Sequence, residues 1–94
     1  MANSQAKHFT DDINAGNRAI ELIFNELRKA EAKHPGWPDD KIHAVGILVE
    51  EAGEAMQAAI DCTYSDGDLE KLRIELAQTG AMAIRALLHL PVHK

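Results

Sequence analysis

The chemistry of this chain is concentrated in its acids. Glu50, Glu51 and Glu54 stand in the run Val49-Glu50-Glu51-Ala52-Gly53-Glu54-Ala55, and Glu75 and Gln78 in Arg73-Ile74-Glu75-Leu76-Ala77-Gln78-Thr79. Residues three apart share a helix face, with Cβ atoms about 5–6 Å apart, so Glu51 neighbours Glu54 and Glu75 neighbours Gln78. On an antiparallel helical hairpin that turns between Tyr64 and Ser65, Glu54 stands level with Glu75, and Glu51 level with Gln78. Four oxygen-bearing side chains at matching heights make a nest for a hard divalent cation. Mg²⁺ takes oxygen ligands octahedrally, keeps several waters and is usually shared between protein carboxylates and substrate phosphates. Facing carboxylates without a cation repel one another. The competing reading is a solvated acidic face, because Glu is a good helix former and E-x-x-E recurs by chance.

The elements that must hold these acids follow from the punctuation. His34-Pro35-Gly36-Trp37-Pro38 is a strong break, since two prolines remove N–H donors and bias their predecessors away from helix. Thr63-Tyr64-Ser65-Asp66-Gly67-Asp68 is the second, a run of turn formers and caps. They delimit three helices: roughly Thr10 to Lys33, capped by Thr10 or Asp11; Asp39 to Asp61; and Asp68 to His89, ended by Pro91. Residues 1–9 read as a polar N-terminal tail. No segment alternates with period two, so the fold is all-α, one domain over residues 1–94. Helices two and three are expected to form an antiparallel hairpin within a bundle built with partner subunits.

That last expectation rests on helix three. Leu69, Leu72, Leu76, Ala83, Leu87 and Leu90 form one apolar stripe, and Ile74, Ala77, Ala81, Ile84 and Leu88 a second on roughly the opposite side. A helix apolar on two faces is sandwiched, and a three-helix monomer has few neighbours to offer. In helix two, Val45, Val49, Ala52 and Met56 read as the buried centre, which turns Glu50 and Glu54 outward beside His43, Gln57 and Asp61 and leaves Glu51 at the edge. Glu75 lies only about 90° from the leucine stripe.

Composition bounds the rest. The 94 residues are 46% hydrophobic, 27% charged and 4% aromatic, a globular balance. A formal charge of −5 argues against binding to duplex nucleic acid, which needs a basic face. A lone cysteine, Cys62, excludes an internal disulfide and Cys-rich zinc frameworks. With no apolar leader and no membrane span in the pattern, the expected location is cytoplasmic.

Glu51-x-x-Glu54, a turn, then Glu75-x-x-Gln78 resembles the E-x-x-E…E-x-x-D signature of the MazG-like all-α nucleoside triphosphate pyrophosphohydrolases. The flanking contexts, Leu48-Val49-Glu50-Glu51-Ala52-Gly53-Glu54 and Leu72-Arg73-Ile74-Glu75-Leu76-Ala77-Gln78, look like that family's, and the likeness spans roughly Trp37 to Leu90. The resemblance implies a helical homodimer or dimer of dimers that uses Mg²⁺, with Mn²⁺ as a substitute, to cleave a (d)NTP between its α and β phosphates, in control of nucleotide pools. It makes Glu51, Glu54, Glu75 and Gln78 the metal positions and Glu50 the residue that orients or deprotonates the attacking water. Gln78 departs from the pattern: an amide oxygen can ligate Mg²⁺ but adds no charge and is no base, so Gln78→Asp is expected to strengthen the cation site.

Around this nest, Lys71 lies one turn before Glu75 and is placed to touch phosphate oxygens, with Arg85 and Lys41 as weaker cations. Trp37 is either a base-stacking surface or a wedge against helix one, and His43 is a candidate on the Glu50 side. His8, His34, His89 and His93 show no metal spacing. Two alternatives stand beside the nucleotide hydrolase. One is a non-catalytic binding or regulatory bundle with a degenerate metal site, and the other a phosphoribosyl-ATP pyrophosphatase on the same scaffold.

Overall fold

In the computed structural model, which describes the backbone of residues 2–91 and the side chains of residues 11–91, the chain is all-helical. It comprises α1 (Ala2–Lys33), α2 (Lys41–Tyr64) and α3 (Leu69–Leu88), with no strand among the described residues. The side chains of His8 and Thr10, and all of His93, lie outside the described residues.

The first break falls where proline puts it; the second is shorter than expected, because α2 runs past Asp61 to Tyr64 and takes Thr63 and Tyr64 into the helix. Asp40 caps α2 by accepting from the Ile42 N–H at 3.1 Å, and Asp68 caps α3 by accepting from the Glu70 N–H at 2.9 Å. At the end of α2 the N–H groups of Ser65 and Gly67 both donate to the Asp61 carbonyl, at 2.9 and 3.1 Å. A Cβ at Gly67 would stand 2.7 Å from the Asp61 carbonyl carbon, so only glycine fits this close approach. The start of α1 differs from expectation. It begins at Ala2, so residues 2–9 continue the helix instead of forming a tail, and neither Thr10 nor Asp11 is a cap. No proline or glycine precedes Gly16, and Ala2, Gln5, Ala6 and Lys7 favour helix.

Helix α3 is the middle element, packing on α2 and on α1. Within the chain these neighbours cover Ala77 and Ala81 of the second stripe, while Leu69, Leu76, Leu87 and Leu90 of the leucine stripe stay exposed. The core is Leu27, Ala81 and Met82, with Ile23, Trp37, Ile47, Leu48 and Ile84 against it. Small residues bring the helices close: a Cβ at Gly80 would sit 3.0 Å from Ile23 Cδ1. Cys62 is free and half-buried.

Helix α2 is turned differently from the sequence reading. Its buried residues are Ala44, Ala55 and Ala58, with Glu51 half-buried among them, whereas Val45, Val49, Ala52 and Met56 face out, Val49 and Met56 each 62% exposed. Large apolar residues mark the outer face because the inner face is alanine. Leu69, Leu76, Leu87, Leu88 and Leu90 of the α3 region are exposed too. The radius of gyration, 16.5 Å, exceeds the about 12 Å of a compact domain of this length. No helix among the described residues is long and apolar enough to cross a membrane.

Candidate metal centre

Glu51 is carried inward on the alanine face of α2, Glu54 stands one turn on, and Glu75 comes from α3. One carboxylate oxygen of each lies within 4.8 Å of the others. This is the grouping that the three-residue spacing and the matched heights predict. Two oxygens on a small cation bound at about 2.1 Å lie about 3 to 4.2 Å apart, so little contraction closes the group around an ion. Glu51 and Glu75 each keep one oxygen, Oε2, that is shut off from water and has no hydrogen-bond partner. Buried lone pairs without donors are costly, and a cation is the species that satisfies several at once. The donors are all carboxylate oxygens, a set suited to a hard cation.

The electrostatics are strained. Burial pushes the Glu51 carboxyl above its ordinary range, and the negative charges of Glu54, Glu75 and Glu50 push it the same way. The Glu75 carboxyl is raised by burial first and by Glu54 second, with Lys71 pulling it partly back.

The other expected residues are distributed unevenly. Gln78 is half-buried and reaches across to α1, its amide Nε2 donating to Glu26 Oε1 at 3.2 Å. Lys71 is exposed but near enough for its charge to act on Glu75. Glu50 is exposed and outside the three-carboxylate group, touching it only through its charge on Glu51. His43 and Lys41 are exposed and line no part of the neighbouring cleft.

That cleft, about 490 Å³, shares Glu51 with the carboxylate group and is also lined by Gln78. Glu26, Lys29 and Lys33 of α1 form one side, and Trp37, Pro38 and Met82 are among the others. Trp37 is the wedge, not an open stacking platform: the Arg85 guanidinium lies 4.8 Å over its ring, and His89 stacks on it at 5.9 Å. Arg85 is likewise not an open phosphate-binding cation. It is 4% exposed, donates to the carbonyls of His34 and Gly36, and pairs with Glu31 at 3.5 Å. It pins the α1–α2 connection to α3.

Sequence reasoning missed Glu26, Lys29 and Lys33. Glu26 is 6% exposed, with Oε2 bonded to Lys29 at 3.1 Å. A signal existed: Glu26 falls three residues after Ile23 and four before Ala30, on the apolar face of α1, with Lys29 three further on. The chain matches no family model, no curated protein and no solved structure.

Proposed function

We propose that this protein is a Mg²⁺-dependent nucleoside triphosphate pyrophosphohydrolase, converting a (d)NTP and water into a (d)NMP and pyrophosphate. The observation that carries the reading is the meeting of Glu51, Glu54 and Glu75 within 4.8 Å, two of their oxygens buried without partners, at the edge of a cleft that also presents Lys29 and Lys33. Carboxylates and lysines around one cleft suit a metal-bound polyphosphate. Glu51, Glu54 and Glu75 would hold the ion, which supplies charge neutralisation and an acidified water. Lys29 and Lys33 reach phosphate oxygens from α1, and Lys71 does so from α3. Glu50 takes the proton of the water that attacks the α phosphorus, as the α–β anhydride bond breaks and pyrophosphate leaves. The chemistry fits a location in the cytoplasm.

The α2–α3 pair is, in this reading, an antiparallel hairpin that joins a second copy in a larger bundle. Exposed Ile42, Val45, Val49 and Met56 on α2, exposed leucines on α3 and the open shape of the chain support it. The alternative of a non-catalytic binding bundle is favoured by one observation: Gln78 is neutral and bonded away to Glu26. A pyrophosphate-release screen over the common NTPs and dNTPs, with Mg²⁺ or Mn²⁺, separates the two. Release from one or a few nucleotides is expected. Cation binding without release from any of them would establish the binding module instead.

A further inference from the structure

We infer that a second copy of this chain packs antiparallel along the outer face of α2, on a seam made by Ile42, Gly46, Val49, Gly53, Met56 and Ile60. The inference deepens the assembly reading above and is independent of the cation reading. These six residues recur at alternating intervals of four and three, the spacing of a seam between two helices. Ile42 is 83% exposed, Val49 and Met56 62% each, and Ile60 43%. Nothing within the chain calls for the two glycines. Neither has a positive φ, and a Cβ built on either would meet no atom within 4 Å. Glycine inside a helix is less favourable than alanine, so two of them facing open space point to a neighbour from outside the chain that comes close to the backbone.

The occupant follows from the order of sizes along the seam. In an antiparallel pair related by a two-fold axis level with residue 51, residues equally far before and after that level face each other. Ile42 then faces the partner's Ile60, Gly46 the partner's Met56, and Val49 the partner's Gly53. Each glycine receives a larger side chain, as a hole receives a knob, and every pairing occurs twice. A face that matches itself in this way fits a second copy of the same chain. There is surface to cover. The chain exposes 7242 Å², about 1,900 Å² more than a compact monomer of its mass, and a standard interface takes about 800 Å² from each partner. Glu51 lies about 160° around α2 from Val49 and Gly53, so the pairing leaves each carboxylate group complete on its own chain, facing away from the seam.

The test measures the dissociation constant of the assembly by sedimentation equilibrium for wild type, Gly46→Ala, Met56→Ala and the double variant. Within one chain positions 46 and 56 lie about 15 Å apart along α2, too far to influence each other. Across the seam they touch, so any coupling between them reports the second copy. Gly46→Ala should weaken the wild-type assembly about 10-fold or more, because the added methyl group is forced twice against Met56. The same change on the Met56→Ala background, where the knob is gone, should move the dissociation constant by less than about 3-fold. Alanine fits the open space of a single chain and favours helix, so folding of the variant is not at risk. A wild type that stays at 10.3 kDa at micromolar concentration overturns the assembly reading and this inference together. A wild-type assembly that Gly46→Ala leaves unchanged or tightens, or weakens equally with and without Met56, overturns this seam alone and moves the contact to another face.

Discussion

Glu75 is the residue at which a cation site and a solvated acidic face give opposite results. Two unit charges about 4.8 Å apart repel by about 0.9 kcal/mol in bulk water and by about 3.5 kcal/mol at an effective dielectric constant of 20. Glu54 is exposed and Glu75 half-buried, so the lower figure is the relevant one. Relief from both Glu51 and Glu54 then totals about 1–2 kcal/mol. Glu75→Gln should therefore raise the melting temperature in chelator, by about 4–8 °C per kcal/mol for a domain of this size. With the cation the order inverts. A ligand at 100 times its dissociation constant adds about 2.7 kcal/mol to the wild type, and the variant, short of one carboxylate, should lose most of that gain. Glu70→Gln is the control, because Glu70 is exposed and bound only to Arg73 at 3.1 Å, a surface pair worth little. Differential scanning fluorimetry in chelator and in MgCl₂ or MnCl₂ reads both conditions. If Glu75→Gln melts below the wild type in chelator, or if both variants keep the same cation shift, the carboxylate cluster is no cation site.

Three further outcomes follow from the packing and the charges. Because the carboxyls of Glu51 and Glu75 are raised in the folded state, their contribution to stability is complete below the ordinary carboxylate range and is lost as pH rises through their raised values; melting in chelator should fall over that interval, and Glu75→Gln should flatten the fall. Saturating Mn²⁺ should reverse that slope, since ligands bind deprotonated. Gly67→Ala should cost about 1–3 kcal/mol in urea unfolding, because its Cβ would lie 2.7 Å from backbone; a neutral effect would mean that this turn relaxes freely. Arg85→Leu should cost about 1–3 kcal/mol in the same assay by leaving the His34 and Gly36 carbonyls without their donor, and no loss would refute the anchoring role.

Local signals were legible and facing was not. Proline, glycine and aspartate caps act within a few residues, so both breaks and the starts of α2 and α3 could be read directly. The grouping of Glu51, Glu54 and Glu75 was readable because it needs only helical spacing and a turn position. The start of α1 was misplaced because a polar helix offers no apolar period to trace. Glu26 had a local signal, its place on the apolar face of α1, but its partner Gln78 lies 52 residues away and no local pattern reports that pairing. Trp37 and Arg85 were legible only as types. That the Arg85 guanidinium lies over the Trp37 ring is a tertiary fact.

The misread face of α2 bears directly on function. At about 100° per residue, Ala44, Ile47, Ala55 and Ala58 all fall within about 40° of Glu51, whereas Ile42, Val45, Val49, Met56 and Ile60 lie about 120–180° away. Size made the second group look like the core. Closeness decided otherwise, because alanines let α2 approach α3, and only that approach brings Glu75 to Glu51. The helix cannot rotate to bury its large residues without taking Glu51 away from Glu75. Site and outer face are thus two sides of one constraint, and the exposed stripe is the consequence of assembling the carboxylates inward. Val49→Glu tests it. If a second copy covers this stripe, light scattering should give the wild type a mass of at least twice 10.3 kDa and the variant a smaller one. A wild type that stays at 10.3 kDa at micromolar concentration would show that the stripe is left open in the functional protein.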